Sequence, residues 1–169
     1  EEVDEYLADR EVWKARLTPN VHGLLARMHE LAMILRARRL KRGAIELTMH
    51  SSLVVVGDFN IAPDDRDVYD PVAWQGSVLV SEPERAAYRE LIALGLHDLF
   101  RLFEQPPGSF SWWDYRAGYF RRNQGLRIDL MLGWRAAAKR CKRVWIDVEP
   151  RRSERPSDHV PVVAEFAED

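Results

Sequence analysis

The chain has 169 residues, 46% of them apolar and 31% charged, with a formal net charge of −2. That length suits one domain with a real core, and the composition excludes a disordered chain. No apolar run reaches transmembrane length and the acidic start, Glu1-Glu2-Val3-Asp4-Glu5, is no signal peptide, so a cytoplasmic protein without a membrane partner is expected.

Residues 1–17 are charged with scattered apolar positions and read as helical. Thr18-Pro19-Asn20 restarts a helix, with Thr18 as N-cap and Pro19 at the first helical position. Leu24, Met28, Leu31 and Leu35 then recur at helical spacing, which predicts an amphipathic helix from about residue 20 to 41, closed by Gly43. Its basic end, Arg36 to Arg42, complements the negative end of the helix dipole, a reading favoured over phosphate binding. Residues 1–50 are therefore set apart as a helical segment from residues 51–169.

Leu53 to Val56 is the first clear strand, apolar on both faces and so expected to be central. Residues 61–82 carry Pro63, Asp64, Asp65, Asp67, Asp70, Pro71 and Gly76 and read as a long surface loop. Ser81-Glu82-Pro83-Glu84 starts a helix of about residues 83–94, stopped by Gly95. Leu96 to Phe103 reads as a short helical turn, and the aromatic stretch Phe110 to Tyr115 as a strand. Leu126 to Leu132 alternates, with Ile128, Leu130 and Leu132 on one face and Arg127, Asp129 and Met131 on the other. Cys141 is the single cysteine, which excludes an internal disulfide and a cysteine-rich zinc site. Residues 143–148 and 160–166 complete a mixed α/β pattern with a largely antiparallel sheet.

Three polar clusters interrupt these strands. Gly57-Asp58-Phe59-Asn60 ends the first, and a carboxylate and an amide there can orient a water and hold a phosphoryl oxygen. Taken alone it reads more readily as an ordinary turn. Asp129 sits in an apolar strand and needs a partner, either an arginine such as Arg127 or a histidine it would orient. Ser157-Asp158-His159 stands at a strand entrance, where Asp158 suits a hard divalent ion and His159 a phosphate contact or proton transfer. Each also has a structural reading, as cap and surface histidine. His22, His29 and His50 are scattered, and no zinc or nucleotide-loop spacing is found. With no bulk basicity, nucleic-acid binding has to rest on patches such as Arg121-Arg122 or Arg151-Arg152-Arg155, which read equally well as solvated surface.

Five motifs in order resemble the C-terminal half of the exonuclease III and abasic-site endonuclease family, within the endonuclease/exonuclease/phosphatase superfamily. They are residues 57–63, 94–101, 110–116, 125–129 and 156–162, that is GDFNIAP, LGLHDLFR, FSWWDYR, GLRID and PSDHVPV. The resemblance implies a four-layer α/β sandwich with the active site at one rim, incomplete on its N-terminal side, and makes residues 51–169 the C-terminal portion of a phosphodiesterase domain. It implies metal-dependent hydrolysis of duplex DNA at 3′ ends or abasic sites, with Mg²⁺ or Mn²⁺. Asp58 would orient the attacking water, Asn60 the phosphate, and Asp129 would orient His159 towards the phosphate. Asp158, with Asp58 and Asn60, would belong to the metal site. Trp112, Leu126 and Ile128 would border a pocket for a base-less sugar, with Arg127 on the substrate side.

The chain departs from the family pattern upstream. No Gln-Glu pair precedes Asp58, and Gln75, Gln105 and Gln124 all follow it. Glu30, Glu46 and Tyr6 do not match the family's metal and phosphate segments. Weak metal binding is therefore expected, together with an apolar sheet face that invites self-association or covering by residues 1–42. The alternatives are a non-catalytic binding module keeping half of the fold, or a phosphoesterase acting on a lipid or small phosphoester. Phe110 to Arg116 and Leu126 to Asp129 favour DNA.

Overall fold

β1 (Val54–Asp58) forms from the β-branched run and pairs antiparallel with β3 (Asp129–Trp134), which pairs antiparallel with β2 (Leu96–Asp98). A computed structural model describes these elements, covering residues 53–168. The sheet order is β1-β3-β2, so among the described residues β3 lies between the other two strands and β1 pairs with β3. A second sheet consists of β4 (Cys141–Ile146) and β5 (Val162–Phe166), again antiparallel.

Side-chain alternation along the strands builds the layers. Leu130 and Leu132 of β3 and Val55 of β1 pack under α1 (Glu82–Ala93) with Leu91 and Ile92. Met131 and Val54 face the other way, against Val144, Ile146, Val162, Ala164 and Phe166 of the second sheet. The described part is thus helix on sheet on sheet, a mixed α/β sandwich. No helix among the described residues is long and apolar enough to cross a membrane. The segment 1–50 and the amphipathic helix expected at 20–41 lie outside the described residues.

α1 starts where the sequence places it. The Glu84 carboxylate accepts from the Ser81 backbone N–H (2.8 Å), the Ser81 hydroxyl (2.6 Å) and the Leu79 N–H (3.1 Å), tying the preceding loop to the first turn. A short helix, α2 (Arg135–Arg140), joins β3 to β4. Three expectations need correction. Residues 61–82 are not a purely surface loop, because Ile61, Ala62, Val68 and Val80 are buried and Asp67 is fully buried beside Arg127. Leu96 to Phe103 opens with strand β2 before the 3-10 turn Leu99–Leu102. Phe110 to Tyr115 is not a strand, since Trp112 makes only isolated bridges, to Leu126 and His159. Gly125 permits that close approach. A Cβ there would stand 2.7 Å from the Trp112 carbonyl and 2.4 Å from the Trp113 indole nitrogen.

Candidate active site

Asp58 ends β1 and Asp129 begins β3, and the two are direct cross-strand partners. Their side chains therefore leave the sheet at one rim, on one face. Opposed carboxylates repel, so this rim favours a cation. His159, at the entrance to β5, brings Nδ1 to 2.9 Å from Asp129 Oδ2, with Nε2 3.9 Å from Asp58 Oδ2. A carboxylate only accepts, so Asp129 selects the tautomer with the proton on Nδ1. The 3.9 Å gap is too long for a hydrogen bond, so Nε2 stands beside Asp58 without bonding to it.

Asn60 does not continue the strand. Its φ is +50°, a left-handed conformation that Asn tolerates better than most residues. The two-residue spacing thus fails as an extended-strand argument, yet the turn still couples the pair. The Asn60 backbone N–H donates to Asp58 Oδ1 (2.8 Å) and its side-chain amide to Oδ2 (3.0 Å). Burial raises the Asp58 carboxyl above the ordinary carboxylate range, with the charge of Asp129 adding to it, while the Asn60 hydrogen bonds and His159 oppose the shift. For His159, burial works against the charged imidazole, but the hydrogen bond and charge of Asp129, with the charges of Asp58 and Asp158, outweigh it and raise its pKa.

Ser111 is a site residue that the sequence reading missed. It is fully buried, and its Oγ accepts from the backbone N–H groups of Ile128 and Asp129, both at 3.1 Å. Its carbonyl accepts from the Val160 N–H at 2.9 Å. One serine thus joins the chain at Asp129 to the chain at His159. Only its place inside the aromatic motif hinted at this.

The structure brings Asp58, Asn60, Asp129 and His159 together. Asp158 is not in the group whose ligand atoms meet there; its Oδ2 accepts the Trp112 indole N–H at 3.0 Å, and its charge still acts on His159. Trp112 is half-buried, whereas Leu126 and Ile128 are buried in the packing around Ala62, Val68 and Val80. Arg127 is 1% exposed. It donates Nε to Asp67 (2.6 Å) and Nη2 to Asp98 (2.7 Å), so it belongs to an interior ion network and not to a surface that meets substrate. That network, and not Asp129, is what Arg127 satisfies. Of the two arginine patches, Arg121, Arg122, Arg152 and Arg155 are exposed, but Arg151 is buried.

Among the described residues, Asp58, Asp129 and His159 each offer a ligand atom, all within 4.8 Å of one another. Two carboxylate oxygens and an imidazole nitrogen suit a divalent cation, and the raised carboxyl of Asp58 is a group that such an ion would relieve. Chemically, the rim holds a carboxylate able to accept a proton, an imidazole whose charged form its neighbours favour, and a second carboxylate that orients the imidazole.

The Endonuclease/Exonuclease/phosphatase family matches residues 8–159. The chain is similar to exodeoxyribonuclease III of Haemophilus influenzae, with 40% identity over 121 residues, covering 68% of this chain and 45% of that protein. Among solved structures, it resembles a 3′ phosphatase from Neisseria bound to product DNA hairpin, with 40% identity and a TM-score of 0.74 over 83% of this chain and 52% of that one. It also resembles an AP endonuclease from Archaeoglobus fulgidus, with 31% identity and a TM-score of 0.72 over 84% and 52%. The chain thus spans about half the length of these relatives.

Proposed function

We propose that this chain, which belongs to the endonuclease/exonuclease/phosphatase family and to its exonuclease III and abasic-site endonuclease branch, carries the catalytic rim of a DNA phosphodiesterase. One observation carries the reading: His159 lies between Asp129 and Asp58, with Nδ1 engaged by Asp129 at 2.9 Å and Nε2 3.9 Å from Asp58. Charged His159 donates from Nε2 to a non-bridging oxygen of the scissile phosphate. Asp129 holds the imidazole against its Nδ1 and keeps it charged. Asp58, whose carboxyl is raised by burial, accepts the proton of the attacking water. The Asn60 amide fixes Asp58 and offers its second N–H towards the phosphate.

Asp58 and Asp129 are the residues that would hold a divalent cation, Mg²⁺ or Mn²⁺, with Asp158 close in sequence to His159 as a further candidate. When bound, such an ion supplies positive charge that offsets the developing charge on the phosphoryl oxygens. The relatives act on DNA by their names, and the half-buried Trp112 beside Asp158 offers an indole at the rim that supports a sugar–phosphate substrate. The test incubates the pure chain with Mg²⁺ and two labelled duplexes, one with an abasic site and one with a recessed 3′ end. Cleavage of either that disappears in Asp58→Asn supports the reading. A wild-type rate no higher than that of Asp58→Asn overturns it.

A further inference from the structure

Arg151 is 8% exposed, and among the described residues no carboxylate lies within ion-pair distance of it. Its guanidinium stands 5.0 Å from the centre of the Tyr115 ring and 5.3 Å from that of Phe120. Its Nη2 donates one long hydrogen bond, 3.4 Å, to the Trp113 carbonyl, and its buried Nε has no partner. A buried cation held by ring faces and one weak hydrogen bond is a poor stabilising device. Its neighbours indicate a different use.

Residues 112–115 are tied to the loop that carries His159 by three hydrogen bonds. The Trp113 N–H donates to the Asp158 carbonyl at 3.0 Å. The Trp112 indole donates to Asp158 Oδ2 at 3.0 Å. The first of these, with the Val160 N–H donating to the Ser111 carbonyl at 2.9 Å, makes Trp112 and His159 an antiparallel bridge. The Tyr115 hydroxyl donates to the Pro156 carbonyl at 3.0 Å, although Tyr115 is itself 61% exposed. An exposed tyrosine keeps one geometry only if something holds its ring, and Arg151 lies against that ring while also bonding Trp113. Arg151 comes from the turn Glu149–Arg152 between β4 and this same loop.

We propose that Arg151 and Tyr115 are positioning residues that latch segment 112–115 onto the loop 156–159 and so set His159 against Asp129. The ring contact fixes Tyr115, Tyr115 fixes Pro156, and the short span from Pro156 to His159 leaves the imidazole little freedom. The catalytic consequence rests on the nuclease reading, but the geometric one does not.

Two readouts on the full chain separate these. The first is the Trp112 indole N–H resonance, assigned with Trp112→Phe, which reports the bond to Asp158 without any substrate. In Tyr115→Phe and in Arg151→Met this resonance shifts towards that of a solvent-bonded indole, while in Arg151→Lys it moves as far as in Arg151→Met, because an ammonium cannot lie flat between two rings. The second is steady-state cleavage, in which Tyr115→Phe lowers kcat about fivefold with KM within about twofold, the loss of one positioning hydrogen bond. Tyr115→Phe decides the matter if the Arg151 variants do not fold. If the indole resonance stays in place in Tyr115→Phe, the latch is wrong. If the resonance moves but wild type cleaves nothing, the latch stands and the nuclease reading fails.

Discussion

Asp58 and Asp129 face each other across the β1–β3 pair, each half-buried, with His159 hydrogen-bonded to one and 3.9 Å from the other. Two like charges in that register weaken the fold unless a cation answers them. The site is therefore a place where function is held at a cost to stability, and the first prediction measures that cost.

Asp58→Asn will make the metal-free protein more stable while abolishing cleavage. The folded-state pKa of Asp58 is raised, mainly by burial, so folding favours the protonated form. The penalty of the ionised form is present above the folded pKa and fades as pH falls through it towards the ordinary value. Thermal midpoints of wild type and Asp58→Asn should differ most at pH 8 and converge in acid. A variant less stable than wild type at pH 8 contradicts this. The expected loss of rate is on the order of 10²-fold or more.

Mg²⁺ or Mn²⁺ will raise the wild-type midpoint and leave Asp58→Asn with Asp129→Asn almost unmoved. A ligand at 100 times its Kd adds about 2.7 kcal/mol by mass action, which calorimetry resolves easily. Equal stabilisation of wild type and double variant would place the ion elsewhere.

Asp129→Asn will lower the pKa of His159, because it removes both the hydrogen bond and the charge that raise it. With a raised folded pKa, the charged histidine contributes stability that is full below its ordinary value of 6.5 and is lost as pH rises through the folded pKa. Cleavage that needs the charged form should fall over the same range. NMR titration of His159 in both proteins checks the shift. An unchanged titration would remove Asp129 from its orienting role.

Arg127→Met will destabilise the fold by about 3–5 kcal/mol, since it leaves Asp98 buried without its cation and Asp67 with Arg101 alone. Urea unfolding measures it. DNA affinity of the folded fraction should stay near that of wild type, whereas a residue meeting the substrate would lose it.

Ser111→Ala will strip the acceptor from two buried N–H groups, those of Ile128 and Asp129, at a cost of about 1–3 kcal/mol for each group left unpaired. Ser111→Thr should recover most of that loss. Both are read by unfolding and by amide exchange at Asp129.

In the sequence, Asp58 and His159 stand out as polar groups where an apolar strand ends or begins and Asp129 as a carboxylate inside an apolar strand, and the five-motif resemblance is what joins the three. The partners were not legible. Arg127 alternates with Asp129 and shares its predicted face, but β3 starts only at Asp129, so Arg127 lies before the regular pleat and reaches Asp67 and Asp98 in the interior. Asp67 sits in a proline- and aspartate-rich loop, and nothing local marks it as fully buried. The aromatic run at Phe110 to Tyr115 has strand composition, but Ser111 spends its hydroxyl on the backbone of Ile128 and Asp129, where a ladder partner would have stood. Long-range pairing of this kind has no signature in one chain's periodicity.

The most direct test of the account is the single-turnover cleavage rate of an abasic-site duplex by the pure chain in Mg²⁺, compared with Asp58→Asn, Asp129→Asn and His159→Asn. Cleavage by wild type, reduced on the order of 10²-fold or more in Asp58→Asn and His159→Asn with DNA affinity retained, is the predicted result. Wild-type cleavage indistinguishable from that of the three variants would contradict it.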